Sequence, residues 1–252
     1  MDYNHLGIKE VIRLYPKIGD LLSAYEVDCA TCAVGICLMK DVLDIHNFSQ
    51  DQKQVITEQM DKLFKYEAVD IDSIRPVKKP IRASHSRPIQ KLVDEHVNIL
   101  RLIELAQHIV DKKVLTPDLM ELLKEVIFYV INYADKHHHA KEENILFKKT
   151  NENQDVIKSM ITEHEIGRGY IALANVGIQF SDHDQIRDSV RSYINLLREH
   201  IRKEDSILYP WFDRNLSDGE KDVMEQEFEA ANQHLDTNME KNLLKFLDDN
   251  FA

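Results

Sequence analysis

Two stretches decide the fold of this chain: His138-His139-Ala140-Lys141-Glu142-Glu143-Asn144-Ile145-Leu146-Phe147 and His200-Ile201-Arg202-Lys203-Glu204-Asp205-Ser206-Ile207-Leu208-Tyr209. At a fixed offset of 62, five of the ten positions are identical: His138/His200, Lys141/Lys203, Glu142/Glu204, Ile145/Ile207 and Leu146/Leu208. Glu143/Asp205 and Phe147/Tyr209 are close in kind. A shorter echo precedes each, in Val93-Asp94-Glu95-His96 and Ile161-Thr162-Glu163-His164. The repeat reads as a doubled two-helix unit, each half carrying one lone histidine and one His-x-x-x-Glu.

Working outward, the helix signals are clear. Ser86 can cap a helix with Pro88 in its first turn, and apolar periodicity carries it through Leu92, His96, Ile99 and Ile103 to about Asp111. Thr116-Pro117-Asp118 starts a second helix, since proline at the first helical position loses no hydrogen bond and an acidic residue suits the positive end of the dipole. It should run to about Lys148. A third is expected over Asn153 to Gln179, a fourth over Asp182 to about Phe212, and a fifth from the capping-box spacing of Ser217 and Glu220 to about Asp248. Only seven glycines in 252 residues fit long helices with short connections. The expected fold is all-α: an up-down-up-down four-helix bundle with an extra C-terminal helix over residues 88–252, and a small helical domain over 1–75. The proline-bearing stretch 76–87, from Pro76 through Pro80 to Ser86, reads as a linker.

The spacing carries chemistry. Four residues along a helix turn through 400°, so His138 and Glu142 face the same way, as do His200 and Glu204. Pseudo-twofold packing of the halves then brings His96, His138, Glu142, His164, His200 and Glu204 to one place. Imidazoles and bridging carboxylates suit two iron ions, each taking two histidines and sharing both carboxylates, with an oxo or hydroxo bridge and an open position for a small diatomic molecule. Manganese and zinc accept the same donors. Spacing alone proves little: 12 histidines and 44 acidic residues in 252 positions give about two His-x-x-x-[Asp/Glu] pairs by chance, and the chain has three. The weight lies in the repetition of the pair with its apolar flank. His139/Glu143 has the same spacing, and Asp205 is a similar rival to Glu204; the repeat selects His138/Glu142 and Glu204. His137 and His139 fall about 100° off the ligand face and are expected around the site or on the surface. His108 and His183 lie outside the repeat, and His234 is the one kept as an outer contributor.

On these residues the stretch from about 85 to 213 resembles the hemerythrin-like cation-binding domain, and its four histidines with two His-x-x-x-Glu glutamates resemble the di-iron repair-of-iron-centres proteins. Oxygen-carrying hemerythrins have a second third-helix histidine where this chain has Arg168, and their last carboxylate stands five rather than four residues after its histidine. Both departures favour the repair-type site. The resemblance implies nitric oxide or oxygen reacting at a non-heme di-iron centre under oxidative or nitrosative stress, and restoration of iron–sulfur clusters in client proteins.

The first unit holds all three cysteines, in Asp28-Cys29-Ala30-Thr31-Cys32 and at Cys37. With Tyr15-Pro16 upstream it resembles a small helical domain found beside redox proteins, and the cysteine-bearing N-terminal unit of the repair proteins, whose two cysteines are adjacent. A Cys-x-x-Cys opening a helix favours reactive thiolates, and adding Cys37 gives three thiolates spaced for an iron–sulfur cluster that wants four ligands. Redox disulfide and cluster both remain open, beside a reading as buried packing residues.

The net charge of -12 argues against nucleic-acid and anionic-membrane partners. No apolar run approaches a bilayer span, the first residues carry no secretion signal, and clustered odd cysteines suit a reducing compartment, so a cytoplasmic location is expected. Three function classes follow: an iron-dependent redox or repair enzyme, a module that stores or senses oxygen or nitric oxide without turnover, and a structural class, an iron-free helical interaction protein.

Overall fold

A computed structural model of the chain describes residues 3–27, 29, 37–46, 48–71, 74, 85–150, 154–233 and 238–251. Among these residues the regular elements are all helical, apart from one isolated antiparallel bridge between Gly7 and Leu38. The chain divides into two compact units, Met1–Ser84 with Ser206–Arg214, and His85–Asp205 with Asn215–Ala252. The sequence reading placed Ser206–Arg214 in the bundle, whereas it clusters with the first unit; the expected linker lies outside the described residues over 76–84.

The first unit contains α1 (Ile8–Leu14), α2 (Pro16–Ala24), α3 (Val42–Ile45) and α4 (Gln50–Phe64). Pro16 opens α2 at the position where a missing N–H costs nothing. Ser49 and Gln52 form a reciprocal capping box at the start of α4. Val11, Ile18, Leu21, Leu22 and Ile56 are completely buried. Tyr3 stacks on Phe64, with ring centroids 4.2 Å apart, and its hydroxyl shares a 2.7 Å hydrogen bond with that of Tyr15.

The second unit is built on α5 (Arg87–Val110), α6 (Pro117–Tyr129), a π-helical segment (Val130–His139), α7 (Ala140–Asn144), α8 (Gln154–Phe180) and α9 (His183–Lys203). The chain continues as a second π-helical segment, Glu204–Leu208, and α10 (Tyr209–Asn215), of which Ser206–Arg214 cluster with the first unit. The C-terminal stretch, expected as one helix, forms α11 (Asp218–Gln233) and α12 (Met239–Asn250). On α5 the buried residues Leu92, His96, Ile99, Ile103, Ala106 and Val110 recur at steps of three and four, the stripe that turns one helix face inward. Leu123, Ile127, Tyr133, Ile194 and Leu197 meet that stripe in one core. Truncating such a side chain costs about 2–5 kcal/mol. The buried Tyr133 hydroxyl accepts a hydrogen bond from Asn98 Nδ2 at 3.2 Å. No described helix is long and apolar enough to cross a membrane.

Helix ends follow the sequence signals. Thr116 Oγ1 accepts from the Leu119 amide, Asp182 Oδ1 from the Gln185 amide, and Ser217 and Glu220 cap each other. Ser86 occupies the N-cap position of α5 without a side-chain cap hydrogen bond. The larger departure is the run from Pro117 to Lys148, expected as one α-helix: ten of its residues, Val130–His139, are π-helical.

Two glycines of α8 separate propensity from packing. A methyl group on exposed Gly169 meets nothing within 4 Å, whereas on Gly177 it would stand 2.9 Å from Ile186 Cγ1 and 3.1 Å from the Ile186 backbone nitrogen. Gly169→Ala should therefore raise stability by about 0.5–1 kcal/mol. Gly177→Ala should lower it by about 1–3 kcal/mol despite the better helix former. Urea unfolding of the two variants checks the opposite signs.

Candidate metal centre

Each long element of the second unit brings one part of the repeat inward. Helix α5 carries Glu95 and His96, the first π-helical segment His138, α7 Glu142, α8 Glu163 and His164, and α9 His200; Glu204 opens the second π-helical segment. The structure brings together all six predicted ligand residues, His96, His138, Glu142, His164, His200 and Glu204, and none is more than 2 % exposed. Carboxylates buried this deeply require cationic or hydrogen-bonding partners.

The inner geometry is that of a coordination shell. His164 Nε2 lies 2.9 Å from His200 Nε2, and His200 Nε2 lies 3.1 Å from Glu204 Oε1. Glu204 Oε2 stands 3.4 Å from His96 Nε2. Glu142 Oε2 is 3.5 Å from His164 Nε2 and 3.7 Å from His138 Nε2. Donor atoms held about 2.1 Å from one ion stand about 3.0–3.4 Å apart, close to this set. His138 Nε2 and both Glu204 oxygens are buried without hydrogen-bond geometry to any partner, although Glu204 Oε1 approaches His200. A cation placed among them would satisfy all three, which is the fit that separates this cluster from a structural polar network.

A ring of outer carboxylates fixes the four imidazoles. His138 Nδ1 pairs with Glu95 Oε2 at 2.9 Å, and His200 Nδ1 with Glu163 Oε2 at 2.9 Å. Lys141 and Lys203 each bond the second oxygen of the same glutamate. His96 Nδ1 pairs with Asp205 Oδ1 at 2.7 Å, and His164 Nδ1 with Glu143 Oε1 at 2.7 Å. With every Nδ1 engaged, each neutral ring carries its proton there and presents the Nε2 lone pair to the centre. The repeat identities that spacing arguments left idle, Lys141/Lys203, Glu143/Asp205 and Glu95/Glu163, all belong to this outer ring. Asp205, weighed from sequence as a rival ligand, is the orienting partner of His96. His137, at 3.2 Å from Glu95 Oε1, joins the outer ring too.

The electrostatics agree. Burial works against a charged imidazole at every position, but the Asp205 and Glu204 carboxylates outweigh it at His96, and Glu204 with Glu163 pushes His200 up to about 9. Burial and the neighbouring His96 take His138 down to about 3. Burial would raise Glu204, yet the His200 and His96 rings hold it well below the usual carboxylate range. The raised His96 and His200 thus stand against the lowered Glu204 carboxylate; a metal ion held by these residues would take over that balancing charge.

The family model of the hemerythrin HHE cation-binding domain matches residues 87–212, half of the chain. The chain belongs to this family. Comparisons with curated proteins and with solved structures return no match. As a hemerythrin-family domain it binds cations, and its histidine and glutamate donors form two overlapping groups that share Glu142: His96, His138, Glu142 and Glu204 in one, His139, Glu142, His164 and His200 in the other.

His139, which the sequence reading set off the ligand face and expected around the site or on the surface, is turned inward. It is 5 % exposed and lies among the inner residues. The π-helical backbone explains this, because its i→i+5 hydrogen bonding turns each residue by less than the 100° of an α-helix and lets neighbouring side chains face inward together. The three consecutive histidines at 137–139 were the available signal. Of the other predicted residues, Cys29 and Cys37 are buried in the first unit, while Cys32 and His234 lie outside the described residues.

Asp205→Ala removes the carboxylate that orients His96 and leaves the inner donors in place. It should weaken metal retention by about 10–100-fold, read by competition with a chelator, while the helical circular dichroism stays unchanged.

Proposed function

We propose that the bundle is a non-heme di-iron centre that reacts with nitric oxide or oxygen in oxidative or nitrosative stress chemistry, including repair of iron–sulfur clusters in client proteins. The observation that carries this reading is the pair of buried donor sets sharing Glu142, with each predicted histidine ligand fixed through Nδ1 by a carboxylate. His96 and His138 would hold one ion, His164 and His200 the other, and Glu142 and Glu204 would span both.

When bound, the iron pair would supply a redox-active centre with room for a small diatomic ligand. The residues do the rest. Glu95 and Glu163 hold the His138 and His200 protons at Nδ1, and Lys141 and Lys203 fix those glutamates in turn. Arg168 spans Asp135 and Glu143 at 2.8 and 2.7 Å, tying the His164 partner to the neighbouring segment. Its guanidinium occupies the position where oxygen carriers have a further histidine, which supports the repair-type reading. The cysteines Cys29, Cys32 and Cys37 would serve as a redox disulfide or as ligands of an iron–sulfur cluster, passing electrons or docking a client.

Protein purified without oxygen should contain about two irons per chain, and His138→Ala or Glu204→Ala should each lose at least half of it. A wild-type value near zero overturns the reading. The oxidised pair should show near-ultraviolet charge-transfer bands of an oxo bridge. Sustained consumption of nitric oxide or peroxide with an electron donor marks an enzyme; one stoichiometric binding event marks a sensor or store. Replacing Cys29 and Cys32 by serine should abolish redox cycling and leave the bundle iron unchanged.

A further inference from the structure

Among the described residues one buried histidine, His139, remains without a role. The ring of His139 lies over that of His164 with centroids 3.9 Å apart and planes 14° from parallel, and stands edge-on to His200 at 5.8 Å. Proximity alone would make it a third nitrogen ligand on the His164–His200 side. Orientation argues otherwise. An imidazole donates a lone pair that lies in its own ring plane, so two rings bound to one ion have planes that intersect at that ion. Rings stacked nearly parallel at van der Waals separation do not meet there, and His164 already points its Nε2 at His200 and Glu142.

The surroundings of His139 show what it faces. It lines a pocket of about 190 Å³ together with His164 and His200, and His96 and His138 are not among the pocket's walls. Val130, Ile171, Leu196 and Leu197 make the walls largely apolar. Asp135 Oδ1 lies 3.7 Å from His139 Nδ1, at ion-pair range and beyond ordinary hydrogen-bond distance, and is shared with Arg168. An apolar pocket suits a small, weakly hydrated molecule; Asp135, Arg168, Asn175 and Tyr193 also line it, and His139 is the lining group that stacks directly on His164 of the inner set.

We propose that His139 is a ligand-binding group and not a metal ligand: it stands beside the His164–His200 half of the centre and hydrogen-bonds a small exogenous molecule, of the size and polarity of azide, nitric oxide or oxygen, that enters through this pocket. The proposal rests on the two-metal reading above. It also makes the centre functionally lopsided, since the repeat places Ile201 at the position equivalent to His139.

The test uses the full chain, loaded with iron and oxidised, with azide as the probe. His139→Leu and His139→Gln should both keep the wild-type iron content. The Leu variant should release azide about 10-fold faster, the effect of one lost hydrogen bond, and lose the deuterium-oxide shift of the azide vibration seen in the wild type. The Gln variant, which retains an N–H donor, should recover most of both. Loss of about one iron per chain from either variant would make His139 a ligand and overturn the proposal, as would azide release unchanged in the Leu variant. If circular dichroism shows that leucine is not accommodated, His139→Ala takes its place with the same expectations. Absence of iron from the wild type is a separate result, which removes the two-metal reading itself.

Discussion

Everything in the second unit is arranged around two carboxylates that have no contact with water. Glu142 and Glu204 are fully buried, and an ionised carboxylate in that environment is costly unless cations stand against it. The chain answers with nested shells. Four imidazoles surround the pair, four further carboxylates fix those imidazoles, and Lys141, Lys203 and Arg168 balance three of those four. The outer charges nearly cancel, and the inner pair lies against the four imidazoles, a donor set that suits a metal. Apolar packing above the centre, from Ile103 to Leu197, holds the helices at the spacing the shells require.

Much of this was legible in the sequence because a repeat with chemical content is hard to produce by accident. His138 and Glu142 recur as His200 and Glu204 with their apolar flanks, and that recurrence, with the Glu-His echo, named six of the seven donors the structure brings together. The caps at Thr116, Asp182 and Ser217 were equally readable, since each is a local hydrogen bond between residues three apart. What escaped was the backbone itself. An α-helical wheel places His139 away from His138 by construction, and no propensity marks Val130–His139 as π-helical. The wider helix is held by what it packs against, a tertiary effect that single-sequence reasoning does not carry. The outer shell escaped for a related reason: Glu95 and His138 lie 43 positions apart, and only folding shows that the recurring Glu-His and Lys-Glu pairs serve each other.

Both π-helical segments fall at the buried histidine–glutamate cluster, one ending at His139 and the other opening at Glu204. Such segments trade regular hydrogen bonding for a change in side-chain direction, a cost that persists where function depends on the new direction. Here they aim side chains at a shared interior that an unbroken helix would miss. The two segments differ in length, ten residues against five, and the longer one carries the extra histidine. A symmetric framework thereby acquires two unlike sides.

The wiring of the outer shell has a historical reading. His138 and His200 are each steadied by a glutamate of their own hairpin, but His96 takes its partner from the second hairpin, at Asp205, and His164 takes its partner from the first, at Glu143. The inner contacts cross in the same way, His96 reaching Glu204 and His164 reaching Glu142. One hairpin by itself completes neither half, whereas two identical hairpins facing each other complete both. The second unit thus has the logic of a homodimer written into a single polypeptide, in which one copy carries His139 where the other has Ile201.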